Sequence, residues 1–349
     1  MSDIVSKPLD ALNIPMNKTT AVIAIFIIFL FVISLWVYRK VNRDDTNCSS
    51  ISKAYKDFGK VRNVDITKDG YTHNLLDYYV KTAYNACSGG QYKNDFVNIC
   101  ALENVIKQGA RGIDLQIYSL DDEPVIATSS VNNYTVKETY NSVMFNDALT
   151  VIRDKAFSGS TCPNPGDPLI LHLRIMSNNK IIYEKIASSI EKTLHGLLMG
   201  PQHSYENNGK NFGQIPLPKL VGKVIIIVDK SNPLFESSKM DEYVNLTSNS
   251  MFMRTLRNSV DVKYCYDKDE LKTYNMKNMS IVMPDVSASN DNYSADFAWD
   301  YGCQFIAMSF QNLDSNMKDY HARFEEAGSA YILKPDELRY IKPSVEMPI

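Results

Sequence analysis

Within the run GIDLQIY at 112–118, Asp114 and Gln116 stand two residues apart, and within LILHLRIM at 169–176 His172 and Arg174 do the same. If both runs are strands, the period of two puts each pair on one face. A carboxylate beside an amide oxygen is the start of a hard-cation site, because such ions take several oxygen ligands. A guanidinium beside them argues the other way, since it is a permanent cation that seeks a carboxylate or a phosphate. Asp114 therefore has two possible partners, a metal ion or Arg174 in a buried ion pair. Arg174 has two as well: Asp114, or an anion held together with Lys81 and Lys230. His172 reads as a core histidine with satisfied ring nitrogens, whereas His73, His195, His203 and His321 sit in polar contexts and read as surface residues.

Such side chains need a frame. Strand candidates fall at 78–84, 112–118, 124–129, 169–176, 224–228, 280–283 and 304–310, and apolar residues recur at helical spacing over 95–107, 144–157, 180–198 and 315–327. Strands alternating with helices argue for an α/β protein with a parallel sheet. The stretch 78–340 has the size of a (β/α)8 TIM barrel, for which roughly 250 residues are typical. In that fold, reactive residues belong at the C-terminal ends of the strands.

Ahead of the barrel, Thr19 to Tyr38 carries no charge. At about 1.5 Å rise per residue it matches the roughly 30 Å of bilayer hydrocarbon, so 19–38 is expected to be a transmembrane helix. The chain then divides into an N-terminal tail at 1–18, the anchor, a linker and lead-in at 39–77, the barrel at 78–340 and a C-terminal tail at 341–349. Lys7 and Lys18 precede the anchor while Arg39, Lys40 and Arg43 follow it, and the excess on the C-terminal side places the barrel in the cytosol. A net charge of −3 gives no argument for nucleic acid as a partner. The six cysteines form no C-x-x-C pair and do not cluster with histidine, so zinc is not expected; disulfides are permitted but not required. Asn245-Leu246-Thr247 is a glycosylation triplet that would suit a lumenal domain, although an asparagine-rich chain yields such triplets by chance.

Three separated motifs carry a resemblance. Gly109, Arg111, Asp114, Leu115, Glu123, Pro124, Val125 and Ile126 fit a pattern G-x-R-x-x-E-L-D followed by E-P-V-I; CQFIAMSFQ at 303–311 and YILKPDELR at 331–339 fit two closing motifs, with Trp299, Gly302, Arg323 and Phe324 in place between or before them. Together, over about 78–339, they resemble the catalytic barrel of phosphoinositide-specific phospholipase C. The resemblance implies a distorted TIM barrel and, in active members, two histidines and a calcium ion.

At the positions the resemblance assigns to that chemistry, this chain differs. Tyr84 stands for the first histidine and is a poor base near neutrality, its ordinary pKa being about 10. Thr128 and Ser129 occupy the ground of the second histidine, and neither titrates near pH 7. Of the family's calcium ligands, Asn85 persists, Asp114 replaces a glutamate, Gln116 replaces an aspartate, and Arg174 stands where a glutamate is needed. The R-x-Y-P segment that reads the inositol ring corresponds to 281–284, where only Pro284 remains. The expectation is a membrane-anchored pseudoenzyme with no catalytic residue, no metal and no cofactor. It would serve as a binding or structural module, with an anionic lipid headgroup held by Arg174, Lys230 and Lys81, or with protein partners in a membrane-associated assembly such as a virion shell. The alternative is a residual phosphoric diester hydrolase using Tyr84, Asp114 and Asn85 with calcium.

Overall fold

Runs of Val, Ile and Leu that are buried on both faces favour parallel pairing beneath helices, and they form most of the barrel wall. The computed structural model describes residues 18–131, 136–205 and 210–340, so most of the N-terminal tail and all of the C-terminal tail lie outside the described residues. One sheet contains β1 (Tyr78–Ala83), β2 (Gly112–Leu120), β3 (Glu123–Ile126), β4 (Val143–Met144), β5 (Leu169–Ile175), β6 (Val224–Asp229), β7 (Leu246–Ser248), β8 (Met253–Arg257), β9 (Met279–Met283), β10 (Phe305–Met308) and β11 (Tyr331–Leu333). Its path runs β7-β6-β5-β2-β1-β10-β9-β8, parallel throughout, and β7 and β8 approach each other to nearly close the barrel. β3 and β4 fold back antiparallel on β2, and β11 pairs antiparallel with β1.

The helices are α1 (Lys18–Val41), α2 (Arg43–Ala54), α3 (Ile99–Lys107), α4 (Phe145–Lys155), α5 (Lys180–Leu194), α6 (Lys268–Lys277), α7 (Asp296–Asp300) and α8 (Ser315–Ala327). α1 belongs to a unit of its own ending at Arg43; it has no buried residue and is long and apolar enough to cross a membrane. The second unit begins at Asp44. Within it, alternation along each strand separates two cores. Val80, Ile170, Ile225, Ile227, Ile281, Met283 and Phe305 fill the lumen, whereas Leu171, Leu173, Ile226, Val228 and Ile306 face the α3, α4, α5 and α8 layer.

Two strands of the wall are absent from the sequence reading. β7 is only three residues long, and β8, MRTLR, is too polar to show an apolar run. The stretch 39–77, read as a linker followed by an irregular or helical lead-in, contains α2, whose Ile51 packs with the following Tyr55 on Ala101. A disulfide joins Cys48 of α2 to Cys100 of α3, with Cα atoms 5.9 Å apart. His321 is buried, not at the surface, because the polar pattern of α8 hides a face that packs on Tyr55 and Phe310.

Candidate functional site

β2 and β5 pair in a register that sets Asp114 opposite His172 and Gln116 opposite Arg174. Because Ile113, Leu115, Leu171 and Leu173 point to the helix layer, these four polar residues point into the lumen near the C-terminal mouth. All four are buried. Arg174 Nε donates to Asp114 Oδ1 at 2.9 Å and Nη2 donates to Oδ2 at 2.7 Å, a two-pronged pair. Nη2 also donates to Asn85 Oδ1 at 2.6 Å. Asn85 follows β1 with φ 43°, a left-handed conformation that asparagine tolerates. That turn aims its backbone N–H at Asp114 Oδ2, 3.0 Å away.

Asp114 is completed by His172 Nδ1 at 2.7 Å. An acceptor-only carboxylate orients the ring with its proton on Nδ1, so Nε2 accepts from Ser248 Oγ at 2.9 Å. Burial alone would raise the Asp114 pKa, but the Arg174 charge and the hydrogen bonds from His172 and Arg174 hold it well below the usual carboxylate range. On Arg174 burial pulls downward, and the Asp114 charge outweighs it and raises the pKa. The Tyr84 ring lies under the guanidinium, 4.8 Å from Cζ, and is itself crossed edge-on by Tyr92. Tyr84 therefore serves as a cation–π support for Arg174.

Thr128 and Ser129 bind backbone and loop groups. Thr128 Oγ1 donates to the Tyr92 carbonyl, and Ser129 Oγ donates to Glu138, which is paired with Lys93.

The expected trio of cations is not assembled. Lys81 lies on the outer face of β1, fully buried, with Nζ donating to the Gln108 carbonyl at 2.8 Å. Lys230 is held by Glu236 at 2.7 Å and by the Tyr205 hydroxyl. Of the three only Arg174 borders the cavity of about 190 Å³ at the mouth, whose wall also includes Asp229, Ser231, Asn249, Thr255 and Arg257. Thr255 and Arg257 were missed in the sequence because β8 was missed, and Ser248 because β7 was. An arginine closing a short polar run, as in MRTLR, was the available signal.

The order Ser248–His172–Asp114 is that of a nucleophile, a base and its orienter. However, Ser248 has no exposed surface and does not line the cavity, so no substrate reaches its hydroxyl. The Ser248–His172–Asp114 hydrogen bonds tie β7, β5 and β2 together inside the lumen.

The residues do not fit a calcium ion. Among the described residues no group of three or more His, Cys, Asp and Glu side chains gathers as a metal site. Among the described residues Asp114 is the one carboxylate bonded to Arg174, and both its oxygens are occupied by that guanidinium. At a separation of about 4 Å and an effective dielectric of about 20, a divalent ion and that guanidinium would repel by roughly 8 kcal/mol.

Comparison with known proteins points to one family. The X domain of phosphatidylinositol-specific phospholipase C matches residues 71–231, and its Y domain matches 230–337. A 1-phosphatidylinositol 4,5-bisphosphate phosphodiesterase of Drosophila melanogaster is 37% identical over 68 residues, which are 19% of this chain and 6% of that protein. The human 1-phosphatidylinositol 4,5-bisphosphate phosphodiesterase beta-4 is 35% identical over 72 residues, 20% of this chain and 6% of that protein. The crystal structure of PLC21 from S. officinalis superposes with TM-score 0.65 at 19% identity, covering 79% of this chain and 39% of that one, so the two share a fold. The aligned segments are thus a small part of the curated relatives.

Proposed function

The chain belongs to the phosphatidylinositol-specific phospholipase C family, and we propose that it is a member whose metal site has become an internal ion pair, so that it binds at a membrane and does not cleave lipid. One observation carries this reading: Arg174 lies between Asp114 and Asn85, saturating the remaining carboxylate. Tyr84, Thr128 and Ser129, at the positions of the family's two histidines, supply a phenol and two aliphatic hydroxyls in place of imidazoles. Loss of a general acid or base removes about 10²- to 10⁴-fold each.

The test is turnover by the full chain in nanodiscs containing phosphatidylinositol or phosphatidylinositol 4,5-bisphosphate, with millimolar calcium or with chelator. Release of inositol phosphate at background level in both, with no heat of calcium binding, is expected. Calcium-dependent turnover that disappears in Asp114→Ala would falsify the reading.

A polar or anionic headgroup is the ligand class that suits the mouth cavity, because Arg174 and Arg257 border it and the buried Thr255 hydroxyl there has no protein partner. Membrane attachment is assigned to α1. For sidedness, the basic residues after α1 favour the cytosol, while the Cys48–Cys100 bridge favours an oxidising compartment. A covalent link is the more specific signal, so the oxidising side is adopted. The triplet at Asn245 supports neither, since that side chain is buried and bonded to Ile226 N and the His203 carbonyl. Protein partners and a virion setting rest on composition and on the anchor-plus-barrel arrangement.

A further inference from the structure

On the flank of the barrel, away from the mouth, the segment after α2 is pinned to the end of α3. Lys107 Nζ donates to the carbonyls of Tyr55 and Lys56, Gln108 Nε2 donates to that of Asp57, and Gly59 N donates to that of Lys107. These bonds fix one wall of a cleft of about 420 Å³ whose other wall is α8. Lys53, Lys56, Lys60 and Lys318 line it against two carboxylates, Asp57 and Glu325, in a chain whose net charge is −3. Among the described residues only Lys60 of the four has an ion pair, with Glu325 at 3.8 Å. Four cations stand here against two acids, and three of the four have no ion pair among the described residues.

The cleft also reaches a buried ring. His321 lines it, is 7% exposed, and its Nδ1 has no protein partner. Its tautomer follows from its neighbours. The Tyr55 hydroxyl donates its one proton to the Phe310 carbonyl at 2.8 Å, so toward His321 Nε2, 3.3 Å away, it acts as acceptor. Nε2 therefore holds the ring proton and Nδ1 is a bare lone pair. A ligand that completes this site must be an anion for the lysines and must bring a proton for Nδ1.

We propose that the cleft binds a phosphate group that retains a hydroxyl, as inorganic phosphate or as a singly protonated phosphomonoester. Inorganic phosphate keeps at least one P–OH throughout the neutral range, and a phosphomonoester, whose last proton leaves near pH 6, keeps it on the acid side of neutrality. Sulfate and carboxylate carry none at that pH. The oxyanion takes charge-assisted bonds from Lys53, Lys56 and Lys318, and its hydroxyl donates to His321 Nδ1. The site is independent of the mouth and of the fate of Asp114.

The test is isothermal titration of the full chain in phosphatidylcholine nanodiscs with sodium phosphate and, separately, sodium sulfate at pH 6.5 and matched ionic strength. Phosphate is expected to bind about tenfold or more tightly than sulfate. Lys53→Gln/Lys56→Gln/Lys318→Gln, changes confined to exposed side chains, should abolish both responses without changing the unfolding midpoint. His321→Phe should keep a weak anion response and erase the preference for phosphate; if that variant does not fold, the lysine variant alone decides. In discs containing phosphatidic acid, loss of further phosphate binding identifies a lipid phosphomonoester as the source, and unchanged binding identifies free phosphate. Equal affinity for phosphate and sulfate, full binding by the lysine variant, or binding of an acidic peptide in place of phosphate would each overturn the proposal.

Discussion

The floor and the mouth of this barrel treat the family pattern in opposite ways. At the floor, Gln304, part of the closing motif, is fully buried and donates from Nε2 to the carbonyls of Leu76, Asn275 and Asn278 while its Oε1 accepts from Ser280 N. Arg111, at the entry to β2, donates to the carbonyls of Ala156 and Asn164. Both match the pattern, and both tie together backbone carbonyls of separate segments. At the mouth, positions that carry the family's reactive groups hold an arginine and a tyrosine, and Arg174 there is bonded to Asp114 and Asn85, although Asn85 Nδ2 and Gln116 Oε1 have no protein partner. What both ends keep is a buried side chain that ties separate segments together, and only at the floor is that done by the residue types of the family pattern.

The comparison breaks most readily at the mouth. Arg174→Met leaves Asp114 buried and unpaired, and a loss of about 3–5 kcal/mol of stability is expected in denaturant unfolding. Its pH profile sharpens the point. Asp114 has a depressed folded pKa, so its contribution is present above the unfolded value near 3.9 and is lost as pH falls below it. In Arg174→Met that acid-side loss should flatten. An unchanged acid limb would show that the pair does not govern it.

At the floor, Gln304→Leu strands one N–H and removes the donor from three carbonyls, for an expected cost of about 2–4 kcal/mol with no effect on ligand binding at the mouth. Coupling between the two variants in a double-mutant cycle should be within about 0.5 kcal/mol, as for distant sites. A larger coupling would mean that floor and mouth are one network.

Two buried lysines give a smaller, alkaline signature. Burial lowers the pKa of Lys81 and of Lys334 to about 7, against some opposition from Glu325 in the first case and from Cys303 and Asp77 in the second. Between about pH 7 and 10.5 the unfolded chain binds more protons than the folded one, so stability rises with pH in that window. Lys81→Met should reduce that slope and stabilise the protein most at and below pH 7. A slope identical to that of the wild type would reject the assignment. The smallest effect is expected from Ser248→Ala, about 1 kcal/mol from one lost hydrogen bond. A fluorophosphonate probe should leave Ser248 unlabelled; labelling that requires His172 would turn the structural chain into a catalytic one.

Much of this was visible in one dimension. Long apolar strands such as VIIIVD at 224–229 announce themselves because both faces are buried, and motif spacing carried the barrel type. β7 and β8 were not visible, since three residues or a polar run give no periodicity to read. His321 was misread because one apolar neighbour per helical turn is enough to bury a histidine in a polar segment.

The sequence by itself determined that the family's histidines are missing and that an arginine stands on the strand where a carboxylate belongs, because identity and spacing suffice for those statements. It left Arg174 balanced between Asp114 and an external anion, with Lys81 and Lys230 as helpers. Only the tertiary structure decided this. Strand alternation sends Lys81 to the outer layer, Glu236 holds Lys230, and the β2–β5 register places Asp114 within 2.7 Å of the guanidinium. A buried charge takes the partner that geometry brings nearest, and that geometry is set by pairing between strands about sixty residues apart.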